Sequence, residues 1–355
     1  MSTGFRAVQW NRAKLLYDAI MIAALAIYII AFILIGRYWL SHASDPAPWD
    51  DLRIRAFGSA AFIMLTVILS IGPVARLDPR FLPLLYNRRH LGVLTFLVGA
   101  THASLIVDWF WSRGKLADLG HEITNWPRYG VLIGFPFETL GIAALTVMFL
   151  MAITSHDFWL KFLTPPVWKA LHMAVYFAYG FLVLHIALGV MQNERRPLIP
   201  ILLGGAFLTV ALLHICAGRR EARRDRGARP EDDGWLAVGP PHSIPDGAAI
   251  IVVAGNGERI AIFRDGATVG AVTNLCAHQN GPLGEGRIID GCITCPWHGY
   301  QYRLADGCAP APFTEKLATY RLRFKDGIIE IDPRALPPGT PATLTCSSSF
   351  AQASV

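Results

Sequence analysis

Cys276-Ala277-His278 and Cys295-Pro296-Trp297-His298 are the two stretches on which the reading of this sequence turns. Sixteen residues separate His278 from Cys295, so each of two loops offers one thiol and one imidazole. Two thiolates and two neutral imidazoles complete a four-donor metal set. Two centres accept that set: a structural zinc ion, or a two-iron cluster with thiolates on one iron and imidazoles on the other. One pair on each of two loops suits the second.

Outward from these loops the chain reads as short strands separated by turn dipeptides. Residues 249–254 and 259–263 flank Asn256-Gly257, a hairpin signal. Asp265-Gly266, Asp290-Gly291, Asp306-Gly307 and Asp326-Gly327 mark further turns, the last between 321–324 and 328–331. The pattern predicts a small antiparallel all-β domain over 235–333. Residues 334–355, rich in Pro, Ser, Thr and Ala, are expected to form a disordered tail.

The first donor pair follows the strand-like 268–274 and precedes Gly281-Pro282-Leu283-Gly284; the second continues as Gly299-Tyr300. With a third loop, Ala309-Pro310-Ala311-Pro312-Phe313, these segments resemble the Rieske domain of ferredoxins and aromatic-ring oxygenases. The resemblance implies a [2Fe-2S] cluster ligated by Cys276, His278, Cys295 and His298, and disfavours zinc. High-potential members carry an additional cysteine in each cluster loop and a serine after the His-Gly pair. Here Gly281, Trp297 and Tyr300 stand at those positions, so no loop disulfide and few hydrogen bonds to sulfur are expected. The expected potential is at the low end of the Rieske range, about −150 mV and upward. Cys292 lies three residues before Cys295, which is already spent as a ligand, so Cys292 reads as a small strand residue; whether it meets Cys308 is open.

Upstream the composition changes. A mean hydropathy of +0.38 with 16% charged residues in 355 excludes an ordinary soluble protein. Six apolar segments, near 17–39, 57–76, 91–111, 131–154, 168–191 and 198–217, approach the length of a membrane span and predict a six-helix transmembrane domain over 1–217. The first segment reads as a retained helix, not a signal peptide. Six spans put both termini on one side. Arg6, Arg12, Lys14, Arg76, Arg80, Arg88, Arg89, Lys161, Lys169 and the arginines after 217 fall on that side, against Arg37, Arg53, Arg55, Arg113, Lys115, Arg128, Arg195 and Arg196 opposite. The bias predicts a cytoplasmic N-terminus and β domain, and the expected location is a bacterial-type inner membrane. The linker over 218–234 holds six arginines, and its place after a final span reads as lipid headgroup contact, not nucleic acid binding.

Histidines inside apolar segments are costly and therefore functional candidates. His102 lies in the third segment; His172 and His185 lie in the fifth, thirteen residues or ~20 Å apart along a helix. Such spacing places one imidazole toward each membrane face, suited to b-type haem held between helices. Gly72-Pro73-Val74-Ala75-Arg76-Leu77, Arg88-Arg89-His90-Leu91-Gly92, Thr154-Ser155 and Trp168-Lys169-Ala170-Leu171-His172 resemble the ferric reductase-like transmembrane family, especially the haem-binding membrane subunits of bacterial methionine sulfoxide reductase systems. The resemblance implies one or two bis-histidine haems b and transmembrane electron transfer. His102 and His185 pair toward the outer side. The second ligand for His172 is open between His90, His214 and no second haem. Glu138 beside Pro136 reads as a carboxylate meeting water at a kink, and the segment-end Trp and Tyr residues as an interfacial belt.

The expected function is single-electron transfer between the cluster and haem, toward an acceptor on the outer face. No glycine-rich nucleotide loop is present, so the expected donor is a separate cytoplasmic flavoprotein reductase or ferredoxin, and the acceptor a periplasmic partner. The alternatives are quinol oxidation at the membrane with the Rieske domain reducing a soluble oxygenase or reductase, and a non-enzymatic redox sensor.

Overall fold

The computed structural model describes residues 12–41, 49–85, 88–155, 159, 162–163, 165–193, 197–224, 234–278, 280–297 and 299–345. Its helices are α1 (Arg12–Ser41), α2 (Trp49–Leu77), α3 (Arg88–Ser112), α4 (Leu116–Thr124), α5 (Glu138–Thr154), α6 (Pro165–Met173), α7 (Val175–Leu188), α8 (Val190–Asn193) and α9 (Leu198–Arg224). Among the described residues, five helical runs are long and apolar enough to cross a membrane: Leu15–Tyr38, Trp49–Leu77, Arg88–Ser112, Val167–Gln192 and Leu198–Arg223. α5 is a sixth, shorter apolar helix.

The fourth expected segment, 131–154, is helical only from Glu138. Gly134 at φ 77° and Pro136 interrupt the helix before that point. α5 packs along α7 through Ala144 and Met148 against Ala178 and Tyr179, with Leu65 and Leu69 of α2 and Val210 of α9 in the same cluster. Small alanines at the centre let the helices approach closely, which suits packing where burial of apolar surface supplies no driving force. α2 opens with Asp50 and Asp51 and ends with Arg76, charges that complement its dipole.

Residues from 234 onward form three small antiparallel sheets. The strands are β1 (Leu236–Gly239), β2 (Ala249–Val253), β3 (Arg259–Asp265), β4 (Thr268–Thr273), β5 (Arg287–Ile289), β6 (Cys292–Thr294), β7 (Gln301–Arg303), β8 (Leu322–Lys325), β9 (Ile328–Ile331) and β10 (Thr343–Thr345). Their orders are β1-β9-β8, β10-β4-β3-β2 and β5-β6-β7. The Asp290-Gly291 and Asp326-Gly327 turns place both residues at positive φ (52° and 72°; 51° and 81°), the backbone that a two-residue hairpin requires.

Two boundaries differ from those expected. The helix of the last span runs on to Arg224, so residues 218–224 of the expected linker are helical. The expected disorder from 334 fails at 343–345, where β10 pairs with β4 as Thr343↔Gly270 to Thr345↔Thr268. Leu344 packs against the core around Ile260, Val269 and Ile329, and that burial anchors a segment whose composition otherwise reads as unstructured. Residues 346–355 lie outside the described residues.

Candidate functional site

The β4–β5 connection carries Cys276 and His278, and the β6–β7 connection carries Cys295 and His298. The two loops share one hydrogen-bond pattern. Cys276 N–H donates to Gly281 O at 2.9 Å and Asn280 N–H to Cys276 O at 2.7 Å; Cys295 N–H donates to Tyr300 O at 2.8 Å and Gly299 N–H to Cys295 O at 2.9 Å. In each loop the residue four past the cysteine turns back with positive φ, 56° at Asn280 and 70° at Gly299. Both knuckles are therefore set by their own backbone.

The knuckles meet. A Cβ built on Gly281 would lie 2.7 Å from Cys295 Sγ and 3.3 Å from the Trp297 ring, so only glycine allows this approach. Cys276 and Cys295 are 1% and 2% exposed and share one cluster with Leu283, Tyr300 and Tyr302. The two buried thiols, with His278 two residues after Cys276, are donors of the kind a [2Fe-2S] cluster takes, although among the described residues no three such side chains are gathered at one point. His278 stacks on Tyr300 at 4.6 Å and 10°, Phe313 of the third loop meets Tyr300 edge-on at 5.0 Å, and the Tyr300 hydroxyl donates to the Glu315 carboxylate. Burial first, then that carboxylate, pushes the Tyr300 hydroxyl above the usual phenol range. His298 lies outside the described residues.

Tyr302 adds a group that reading the two loops missed. Its hydroxyl lies 3.4 Å from Cys276 Sγ in the buried core, a contact in which either atom can donate, and burial first, then Cys276, pushes the hydroxyl above the usual phenol range. The signal was the alternation of β7: Tyr302 points inward between Gln301 and the exposed Arg303. Cys292 opens β6 as expected, and Cys292 and Cys308 are both free thiols.

In the helical half, His102 and His185 come together with ring centroids 6.5 Å apart and planes at 87°. His102 Nδ1 is 2.9 Å from Ile54 O, and His185 Nδ1 is 2.8 Å from Phe137 O. A carbonyl only accepts, so each hydrogen sits on Nδ1 and each lone pair on Nε2. Gly58 and Gly141 make room for the rings. A Cβ at Gly58 would stand 2.8 Å from the His102 ring, and one at Gly141 3.0 Å from the His185 ring. Neither glycine was legible as a site residue, because no sequence pattern tells which helix faces which histidine. Two imidazoles with both Nδ1 atoms committed to carbonyls are a donor pair that would suit a haem iron.

The other histidines have separate partners. His172 stacks on Trp168 at 3.7 Å, with Nδ1 3.0 Å from Trp168 O and Nε2 3.4 Å from Ser155 Oγ. His90 Nδ1 is 2.7 Å from Asp18 Oδ2. His214 has Nδ1 2.9 Å from Val210 O and Nε2 3.0 Å from the Tyr176 hydroxyl.

Residues 234–321 match the Rieske [2Fe-2S] domain family, and residues 56–190 match the ferric reductase like transmembrane component family. The chain belongs to both: it is a multi-pass membrane electron-transfer protein with a ferric reductase-like N-terminal domain and a Rieske C-terminal domain. Its relatives divide accordingly. The anthranilate 1,2-dioxygenase ferredoxin subunit of Burkholderia cepacia is 33% identical over 28% of this chain and 91% of that protein. The protein-methionine-sulfoxide reductase heme-binding subunit MsrQ of Caulobacter vibrioides is 30% identical over 52% of this chain and 82% of that protein. Among solved structures, the Sphingomonas yanoikuyae B1 ferredoxin covers 28% of this chain and 98% of its own at 30% identity and a TM-score of 0.26.

Proposed function

We propose that the chain passes single electrons between a [2Fe-2S] cluster held by Cys276, His278, Cys295 and His298 and haem b held by His102 and His185. The carrying observation is the imidazole pair at 6.5 Å, with both Nδ1 atoms bonded to carbonyls and a glycine opposite each ring. The heme-binding name of the Caulobacter vibrioides relative supports haem as the metal group. When bound, cluster and haem each supply a one-electron centre. The protein fixes the imidazole tautomers, buries the thiols, offers the Tyr302 hydroxyl to a sulfur and holds His278 against Tyr300.

His172, thirteen residues before His185, is a ligand candidate at the opposite membrane level. The Tyr176 hydroxyl can only donate to His214 Nε2, whose lone pair is then used. His90 and His214 are both candidate partners, and the Asp18 carboxylate on His90 Nδ1 is a common support for a ligating histidine.

The arginine bias supports a cytoplasmic N-terminus and Rieske domain. On that orientation, in a bacterial inner membrane, electrons enter from a soluble NAD(P)H-dependent reductase or ferredoxin and leave to an acceptor on the periplasmic face. Inverted vesicles test this. Haem reduction by a reductase with NAD(P)H, and not by quinol, is the expected result. Reduction by quinol alone reverses the flow, and reduction by neither while the cluster still cycles breaks the conduit.

A further inference from the structure

A cavity of about 550 Å³ opens beside the last turns of α9, and its described lining is Cys216, Arg219, Arg220 and Arg223. None of these residues belongs to the sites above. Their spacing of three, four and seven residues puts them on one helix face. Arg220 donates to Leu77 O at the end of α2, which holds its guanidinium in place. Arg219 and Arg223 are exposed.

Nearby carboxylates are engaged elsewhere. Glu221, on the same turn, pairs with Arg259 at 2.7 Å, and Asp78, within electrostatic reach of Arg220, is bonded to Arg80 at 2.6 Å. Three like charges crowd a cavity without a carboxylate in its described lining. One turn and more before it, α9 exposes Leu208, Leu212 and Ile215 at 57%, 58% and 48%. By the helical repeat these precede Arg219 and Arg223 on a continuous stripe. The stripe is thus apolar along the span and cationic where the span ends.

We infer that this face binds an anionic phospholipid, its acyl chains along Leu208, Leu212 and Ile215 and its phosphate between Arg219 and Arg223. Guanidinium forks match phosphate oxygens, and a cavity of this size accommodates a headgroup. A free phosphate would use the arginines alone and gain nothing from the apolar stripe.

The test uses the full-length protein with its metal groups, washed in detergent after incorporation into nanodiscs of phosphatidylglycerol or phosphatidylcholine, with retained lipid counted by native mass spectrometry. Wild type is expected to keep phosphatidylglycerol over phosphatidylcholine. R219Q/R223Q is expected to lose about 30-fold in retention, from roughly fivefold for each basic side chain near an anionic lipid. R219K/R223K should restore most of it, with the cluster signal unchanged in both variants. Equal retention of the two lipids, full retention in R219Q/R223Q, or displacement by millimolar inorganic phosphate would each overturn the inference. If the glutamine variant does not fold, wild-type retention at high and low salt decides: a lipid held by charge is released at high salt, and salt-independent retention overturns the assignment.

Discussion

The two candidate redox sites are built in opposite ways. In the β domain each donor pair sits inside a loop that closes on itself, with the cysteine N–H bonded five residues ahead and its carbonyl accepting from four residues ahead. In the helical domain each histidine is fixed by a carbonyl 48 residues away in sequence: Ile54 for His102 and Phe137 for His185. The loop site is local and needs only its own backbone plus one close approach at Gly281. The helical site exists only after three helices and the Phe137 turn are packed. Errors should therefore propagate differently: damage to a knuckle stays in the cluster, whereas damage to helix packing removes an imidazole from its place.

Ligand deletion should sharpen this contrast most. His185→Ala is expected to remove one haem equivalent per chain, read by pyridine haemochrome, while the anisotropic Rieske EPR signal stays at full intensity. His278→Ala should abolish that EPR signal and leave the haem absorbance intact. Unchanged haem stoichiometry in the first variant, or a surviving Rieske signal in the second, defeats the ligand assignment concerned. One step smaller is Gly141→Val, which puts a branched Cβ where a plain one already stands 3.0 Å from the His185 ring. The crowding is expected to cost on the order of 1–3 kcal/mol, seen as a severalfold drop in haem occupancy with the cluster unaffected. Full occupancy would show that the ring has room to shift.

The same contrast explains what could be read from sequence. In the β domain alternation and Asn-Gly or Asp-Gly turns are local signals, and the expected runs 249–254, 259–263, 268–274, 321–324 and 328–331 coincide with β2, β3, β4, β8 and β9 to within one or two residues at their ends, whereas the three-residue strands β5, β6 and β7 are too short to show alternation. Cys276 and Cys295 stood out as ligand candidates through their spacing to His278 and His298 and the Rieske resemblance of their loops, which are also local signals. Tyr302 did not, because its contact with Cys276 spans 26 residues and appears only when β7 is paired with β6. In the helical half the apolar runs were legible, and cost alone marked His102, His172 and His185 as candidates, since a buried imidazole needs a partner. Gly58, Gly141 and the two carbonyls were not legible, because helix contacts leave no periodic trace. The tail strand was misread because three residues of β10 are too few to outweigh the composition around them.

Tyr302 tests how closely the loop site is tuned from outside its loops. Its hydroxyl approaches a sulfur whose negative charge grows when the cluster takes an electron, so its hydrogen bond favours the reduced form. Tyr302→Phe should lower the potential by on the order of 40–60 mV, the one-electron equivalent of about 1–1.5 kcal/mol, in an EPR-monitored redox titration. An unchanged potential would mean that the hydroxyl serves packing alone.

The smallest expected effect concerns acid stability and separates the β domain from the helices. Asp332 follows β9 with 4% of its side chain exposed, and its carboxyl is held below the usual carboxylate range by hydrogen bonds from the Arg334 guanidinium and backbone N–H. A depressed folded value means that the unfolded chain binds the proton more readily. The extra stability is therefore fully present above the unfolded carboxylate pKa of about 3.9 and lost as pH falls through the folded value. Arg334 is 82% exposed, so solvent screening limits the contribution to about 1 kcal/mol or less. Thermal loss of the cluster absorbance should show a smaller fall between pH 6 and pH 3 in Asp332→Asn than in wild type, while haem absorbance falls equally in both. Parallel acid profiles for the cluster in the two proteins would remove Asp332 from the account and move the pH dependence of this domain to its other carboxylates.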